Sequence, residues 1–160
     1  MGCKPGRFER WNYSTSITFI EKNASTFAPI WIGNSILSPQ FFSALSLNHT
    51  ITTLMLTNTT LFQEFIPPLC QLLLTNQTIK ALDISGNLLA PSTELNQAFK
   101  QNKSIQVLNI SGNKFNQDVL DSLLESDSIQ YLVIDKTFAA QHQHQHQYFS
   151  QSKSLIKCFI

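Results

Sequence analysis

The sequence predicts an α/β protein built as a stack of small units, each a short strand followed by a helix. Three observations carry this. The phrase Ile79-Lys-Ala-Leu82-Asp-Ile84-Ser-Gly-Asn87 returns as Ile105-Gln-Val-Leu108-Asn-Ile110-Ser-Gly-Asn113. Looser copies begin at Phe27, Ile51 and Ile129, with a partial one at Leu155, so the starts are separated by 24, 28, 26, 24 and 26 residues. Each complete phrase is followed by a more helical stretch. A period in this range, carried by aliphatic residues and an Asn, marks stacked supersecondary units that bury a continuous core between neighbours. The repeats define a domain over 27–160, of about five units, with residues 1–26 as an N-terminal cap or tail.

The first half of each unit reads as a strand. Leu54, Leu82, Leu108 and Leu132 pair with Leu56, Ile84, Ile110 and Ile134 two positions on. Period-2 spacing puts both members of a pair on one face of a strand and the residues between them on the other. Asn87 and Asn113 follow the strand, where a buried amide can bond the backbone of adjacent units; Thr59, Thr137 and Ser35 stand at the same place and can do so only in part. The second half reads as a helix. Ser38-Pro39 is an N-cap followed by Pro at the first helical position, and Pro67-Pro68 starts the next helix. The apolar stripes are Phe41, Phe42 and Leu45; Leu69, Leu72 and Leu73; Leu95, Ala98 and Phe99; and Leu120, Leu123 and Leu124. Each helix runs into an [NS]-x-[ST] junction (Asn48-His-Thr50, Asn76-Gln-Thr78, Asn102-Lys-Ser104, Ser126-Asp-Ser128, Ser152-Lys-Ser154), where Asn is expected to end the helix in the left-handed conformation.

Composition narrows the function classes. The 160-residue chain carries a net charge of +1, which argues against a dedicated binder of nucleic acid or anionic membranes. Only 13% of residues are charged, against about 25% in ordinary domains, and 56 of 160 are Asn, Gln, Ser or Thr, so the polar surface is mostly neutral. Cys3, Cys70 and Cys158 form no C-x-x-C and no even framework, which suggests neither a zinc site nor a disulfide scaffold and fits a reducing, cytoplasmic setting. No stretch approaches the length of a membrane span, and the N-terminus lacks the apolar segment of a secretory signal.

The L-x-x-L-x-L-x-x-N phrase, the helical second half and the junction together resemble the leucine-rich repeat family, and the 24–28 residue period looks like its ribonuclease-inhibitor-like subclass. The match covers residues 27–160. The resemblance implies a right-handed, curved α/β solenoid, a horseshoe segment with a concave parallel sheet and outer helices. In that arrangement Ile17-Thr-Phe-Ile20 is expected at the edge of the first coil, covered by Trp11 and Tyr13.

The outward strand positions would line the concave face. One column reads Trp31, Met55, Asp83, Asn109, Val133, Phe159, and its neighbour reads Pro29, Thr53, Ala81, Val107, Tyr131, Lys157. Aromatic residues and Met are enriched at protein interfaces, so a partner footprint is expected at Trp31, Met55, Asp83, Asn109, Tyr131 and Val133, against the alternative of an idle face. The run Gln141-His-Gln-His-Gln-His-Gln147 could present His142 and His146 to a metal on a helix, but no carboxylate or Cys lies near it in sequence. It is read as a codon-repeat expansion, and no metal site is assigned. Seven N-x-[ST] sequons (Asn12, Asn23, Asn48, Asn58, Asn76, Asn102, Asn109) are read as by-products of the repeat. Met1-Gly2-Cys3 permits lipidation at Gly2 and Cys3, helped by Lys4, Arg7 and Arg10, although Gly6 stands where Ser or Thr is preferred.

There is no phosphate-binding loop, G-x-S-x-G or H-E-x-x-H, so no catalytic residue and no cofactor is assigned. The expected function is non-catalytic: a protein-protein interaction module that binds another protein through the concave face. Such a module would serve as a scaffold, as an inhibitor-like protein, or as a microbial effector working in the host cytoplasm. No nucleic acid and no small-molecule substrate is expected, and a membrane only if the N-terminus is lipidated. The alternatives are a membrane-anchored adaptor lipidated at Gly2/Cys3, a secreted glycoprotein, and a fragment of a larger repeat receptor.

Overall fold

Residues 30–31, 37–135 and 155–156 are described by the computed structural model; the expected cap over 1–26, Gly2, Cys3, Ser35, Thr137, the His/Gln tract and Phe159 lie outside them. The elements in chain order are β1 (Ile30–Trp31), α1 (Pro39–Leu47), β2 (Thr53–Met55), a single 3-10 turn (Gln63–Phe65), α2 (Ile66–Thr75), β3 (Ala81–Asp83), α3 (Thr93–Gln101), β4 (Val107–Asn109), α4 (Gln117–Leu124), β5 (Tyr131–Val133) and β6 (Leu155–Ile156). The strands form one parallel sheet in the order β1-β2-β3-β4-β5-β6. The expected α/β class is observed. Parallel neighbours need a crossover between them, and in each central unit that crossover is the helix the sequence places there.

The helix starts follow from local chemistry. Ser38 is the extended N-cap of α1 with Pro39 at the first helical position, and Pro67 and Pro68 fall in the first turn of α2, where a missing N–H is harmless. Ser92 caps α3 by accepting from the Leu95 N–H at 3.0 Å, and Asn116 caps α4 by accepting from Val119 at 3.4 Å. The stripes Phe41, Phe42, Leu45; Leu69, Leu72, Leu73; Leu95, Ala98, Phe99; and Leu120, Leu123 are buried, while Leu124 is only partly so. They meet Leu54, Leu56, Leu82, Ile84, Leu108, Ile110, Leu132 and Ile134 from the strands in one continuous core. Phe42 and Phe65 extend it at a ring-centroid distance of 6.0 Å, as do Phe99 and Phe115 at 6.5 Å, which joins helices to post-strand turns.

Between the units runs a second system, made of amides. After the strand, Asn87 is 2% exposed; its Nδ2 donates to the carbonyls of Leu56 in the preceding unit and Ile84 in its own, both at 2.8 Å. Its Oδ1 accepts from the N–H groups of Thr59 and Leu61, both at 3.0 Å. Asn113 repeats the pattern one unit on, donating to Ile84 and Ile110 and accepting from Leu89. Thr59 reaches only the Leu56 carbonyl and the Asn87 oxygen through its hydroxyl.

The junction before the strand carries another ladder. The side-chain oxygens of Asn48, Asn76 and Asn102 accept from the N–H groups two and three residues on, at 2.8–3.1 Å. Asn76 Nδ2 donates back to Leu45 and Asn48, and Asn102 Nδ2 to Leu73. The third letter of the junction joins in: the hydroxyls of Thr78, Ser104 and Ser128 donate to the Asn48, Asn76 and Asn102 carbonyls. The left-handed helix end expected at these residues is not what forms. Asn48, Asn76 and Asn102 are extended, with φ of −78°, −79° and −61° and ψ near 130°. An extended backbone aims the amide along the stack, where it bonds buried backbone groups of two adjacent units.

The left-handed residues lie instead in the post-strand turn: Asn58 (φ 53°), Thr60 (φ 54°), Gly86 (φ 65°) and Gly112 (φ 67°). Gly112 sits directly over Gly86, since a Cβ on it would come within 3.0 Å of the Gly86 backbone. Thr60 is an outlier, because a β-branched side chain in this region clashes with its own backbone. The sixth strand also departs from expectation. Aligning Leu155 with Ile129 puts Lys157 beside Tyr131, but the sheet pairs Leu155 with Tyr131 and Ile156 with Leu132, a shift of two residues. A shift of two preserves which face each residue occupies, so the sequence pattern alone does not distinguish the two registers.

Three outcomes test this account. Asn76→Ala strips partners from two N–H groups and two carbonyls in a buried site, and is expected to lower unfolding free energy by about 3–4 kcal/mol in urea titrations. Thr60→Gly is expected to raise it by about 0.5–1 kcal/mol, as relief of left-handed strain outweighs the added freedom of the unfolded chain. The third concerns Cys70, 3% exposed on α2, whose thiol is pushed up to about 12 by burial and, secondarily, by the charge of Glu94. A neutral, enclosed thiol is a poor nucleophile. Alkylation followed by peptide mass spectrometry is therefore expected to leave Cys70 unmodified in native protein at about pH 8 and to modify it fully in denaturant.

Candidate functional site: the outer face of the sheet

Opposite the core, strand register sets two columns of residues. Trp31, Met55, Asp83, Asn109 and Val133 are successive partners in one column, and Thr53, Ala81, Val107 and Tyr131 in the other. The register thus brings Met55, Asp83, Asn109, Val133 and Tyr131 onto one face, with Trp31 in the same column at the β1 edge. No helix covers this face among the described residues: Met55, Asp83, Asn109 and Val133 are half-buried by their neighbours, whereas Leu54, Leu82, Leu108 and Leu132 between them are fully buried.

The face divides into a polar and an apolar part. Asp83 Oδ2 accepts from Asn109 Nδ2 at 3.0 Å across the strands, and Asp83 Oδ1 accepts from the Ser85 N–H at 2.9 Å. Asn109 Oδ1 in turn accepts from the backbone and the hydroxyl of Ser111. Both side chains are thus held in place before any partner arrives. Each carboxylate oxygen of Asp83 already has a donor, an arrangement suited to a fixed polar contact. Beside this pair, Val107 and Tyr131 face each other on adjacent strands with 40% and 42% of their surface open. An aromatic ring and a β-branched side chain left this open, side by side on adjacent strands, are the most exposed large apolar side chains of the face among the described residues. Val107 appears in the sequence-derived column but not in the expected footprint, because a Val reads as an ordinary strand residue until its exposure is known.

Among the described residues no group of three His, Cys, Asp or Glu side chains lies close enough to hold a metal ion, and Cys70 is buried on the far side of the core. No helix among them is long and apolar enough to cross a membrane. The ion pairs Lys100–Glu125 and Lys103–Asp127 link neighbouring units at exposed positions away from this face. Exposed pairs of this kind contribute little to stability.

Against known proteins, no family model and no curated sequence matches the chain. Solved structures do. One titled as the actin-binding site 2 of leiomodin-1 is similar with a TM-score of 0.69 at 16% identity, over 85% of this chain and 86% of that one. The tropomodulin C-terminal domain from Caenorhabditis elegans is similar with a TM-score of 0.68 at 15% identity, over 86% of this chain and 91% of that one. At such identity the likeness is one of fold. It corrects the resemblance drawn from the sequence: the neighbours are tropomodulin and leiomodin domains, not ribonuclease-inhibitor-like leucine-rich repeat proteins. The reason is physical. The letters behind that resemblance are those that a strand, a turn and a packed helix require in order to stack, so they report packing and cannot distinguish one lineage of such stacks from another. The chain shares the fold of the tropomodulin and leiomodin domains.

Proposed function

We propose that this protein is a non-catalytic protein-binding module whose docking surface is the outer face of the sheet, centred on Val107 and Tyr131 and flanked by Met55, Val133 and the Asp83–Asn109 pair. Its strand–helix units would run over 27–160 as one curved stack, preceded by a cap or tail over 1–26. The observation that carries the proposal is the pair of large side chains left open at 40% and 42% on adjacent strands of an uncovered sheet. Burial of an aromatic and an aliphatic anchor is how most binding energy is gathered at an interface, and fixed polar groups beside them set orientation. Trp31, at the β1 end of the column, extends the footprint. Actin is the first partner to test, because leiomodin-1's actin-binding site 2 has this fold.

Co-sedimentation with filaments and a fluorescence titration with monomeric actin test the partner. Val107→Ser with Tyr131→Ser tests the surface. Both side chains are about two-fifths exposed and none of the core leucines is touched, so the double variant is expected to stay folded, with a modestly lowered unfolding midpoint, and to weaken binding at least about tenfold, equivalent to about 1.4 kcal/mol. Unchanged binding would remove the sheet face from the proposal. Absence of any actin binding by the wild type would remove actin while leaving the surface to be tested against partners captured from cells.

A further inference from the structure

The described sequons of this chain separate into three kinds once they are placed in the fold, one of them Asn109-Ile-Ser111, half-buried at the end of β4 with its Nδ2 donating to Asp83. Asn48-His-Thr50, Asn76-Gln-Thr78 and Asn102-Lys-Ser104 are unit junctions, and their asparagines are 1%, 3% and 3% exposed. Asn58-Thr-Thr60, in the post-strand turn, is exposed. N-glycosylation forms a bond from Asn Nδ2 to the sugar's anomeric carbon, breaks the bond from that carbon to the lipid-linked pyrophosphate, and releases one proton from the amide. One N–H remains on the nitrogen. Asn76 Nδ2 uses both of its hydrogens, donating to Leu45 at 2.8 Å and to Asn48 at 2.9 Å. Asn102 Nδ2 donates to Leu73 at 2.6 Å and to the Ser104 hydroxyl at 3.3 Å. A glycan on either would remove a donor from a buried carbonyl or hydroxyl and place a bulky hydrated group between two packed units.

We infer that this domain folds only where its junction sequons at Asn48, Asn76 and Asn102 are not glycosylated. The transferase acts on the chain as it emerges, before the junctions are buried, so later burial gives them no protection. The same letters that stack the units would lead to their modification in a glycosylating compartment. This inference rests on the junction geometry and is independent of what the sheet face binds.

The test expresses the full chain in one eukaryotic cell line, once in the cytosol and once behind a cleavable secretion signal. Asn12 and Asn23 are replaced by Gln in both, so that only the described sequons are read. The cytosolic form is expected to be soluble, monodisperse and unmodified. The secretory form is expected to carry glycans at Asn48, Asn76 or Asn102 by mass spectrometry and to be lost from the medium, with secretion restored when lipid-linked oligosaccharide synthesis is inhibited. A folded secreted protein, with or without glycans at these junctions, would overturn the inference. So would a secretion failure that the inhibitor does not relieve.

Discussion

Stacking short strand–turn–helix units creates a problem of hydrogen bonding before it creates one of hydrophobic burial. Each unit turns twice inside the packed interior, and at both turns peptide N–H and carbonyl groups face the neighbouring unit instead of water. An unmatched peptide group in such a place costs as much as a buried leucine contributes. This chain solves the problem with side-chain amides. An Asn presents two donors and an acceptor with two lone pairs on a short stem, which suits three or four convergent backbone groups spread over two units. Asn87 and Asn113 serve the turn after the strand; Asn48, Asn76 and Asn102 serve the turn before it.

The rest of the structure depends on this arrangement. Because the amides fix the distance and offset between units, adjacent strands meet in register, and leucines at equivalent positions stack into one core. Because the core side is committed to packing, the opposite side of each strand is free to vary. The outer columns are consequently the place where this chain differs from an idealised repeat: Met55, Asp83, Asn109 and Val133 in one, Thr53, Ala81, Val107 and Tyr131 in the other. At one post-strand turn a substitute appears. The Asn58 and Gly86 amides donate to the Ser85 and Ser111 carbonyls of the following units, whereas the Gly112 amide donates to the Asp135 carboxylate at 2.9–3.0 Å. At that turn a side chain takes the place of the backbone acceptor.

Much of this was legible in the letters, because packing and periodicity are local and repeated. The spacing of Leu82, Ile84 and Asn87 announces strand, inward face and turn, and the copy at 105 confirms the period without any structure. What escaped was what depends on relations between units. On its own propensity the junction Asn favours the left-handed conformation, while its backbone is extended and its amide reaches into the preceding unit. The register of β6 differs by two from the one the repeat predicts, a shift to which the face pattern is insensitive. Thr60, left-handed against its own preference, gave no signal at all. The outer columns followed from period 2, but the Asp83–Asn109 bond and the openness of Val107 required the neighbouring strands. The family resemblance was misdirected for a related reason, since it was drawn from residues whose identity the stack dictates.

The most direct measure of the central claim is hydrogen exchange at the backbone amides that donate to Asn oxygens: Thr59, Leu61, Thr78, Ile79, Ser104 and Ile105. All lie in turns, where exchange is ordinarily fast. If side-chain amides hold the units together, these six are predicted to be protected to the level of the central strand amides and to open only with the whole stack. Exchange at the rate of exposed loops would show that the stack is held by its apolar core alone.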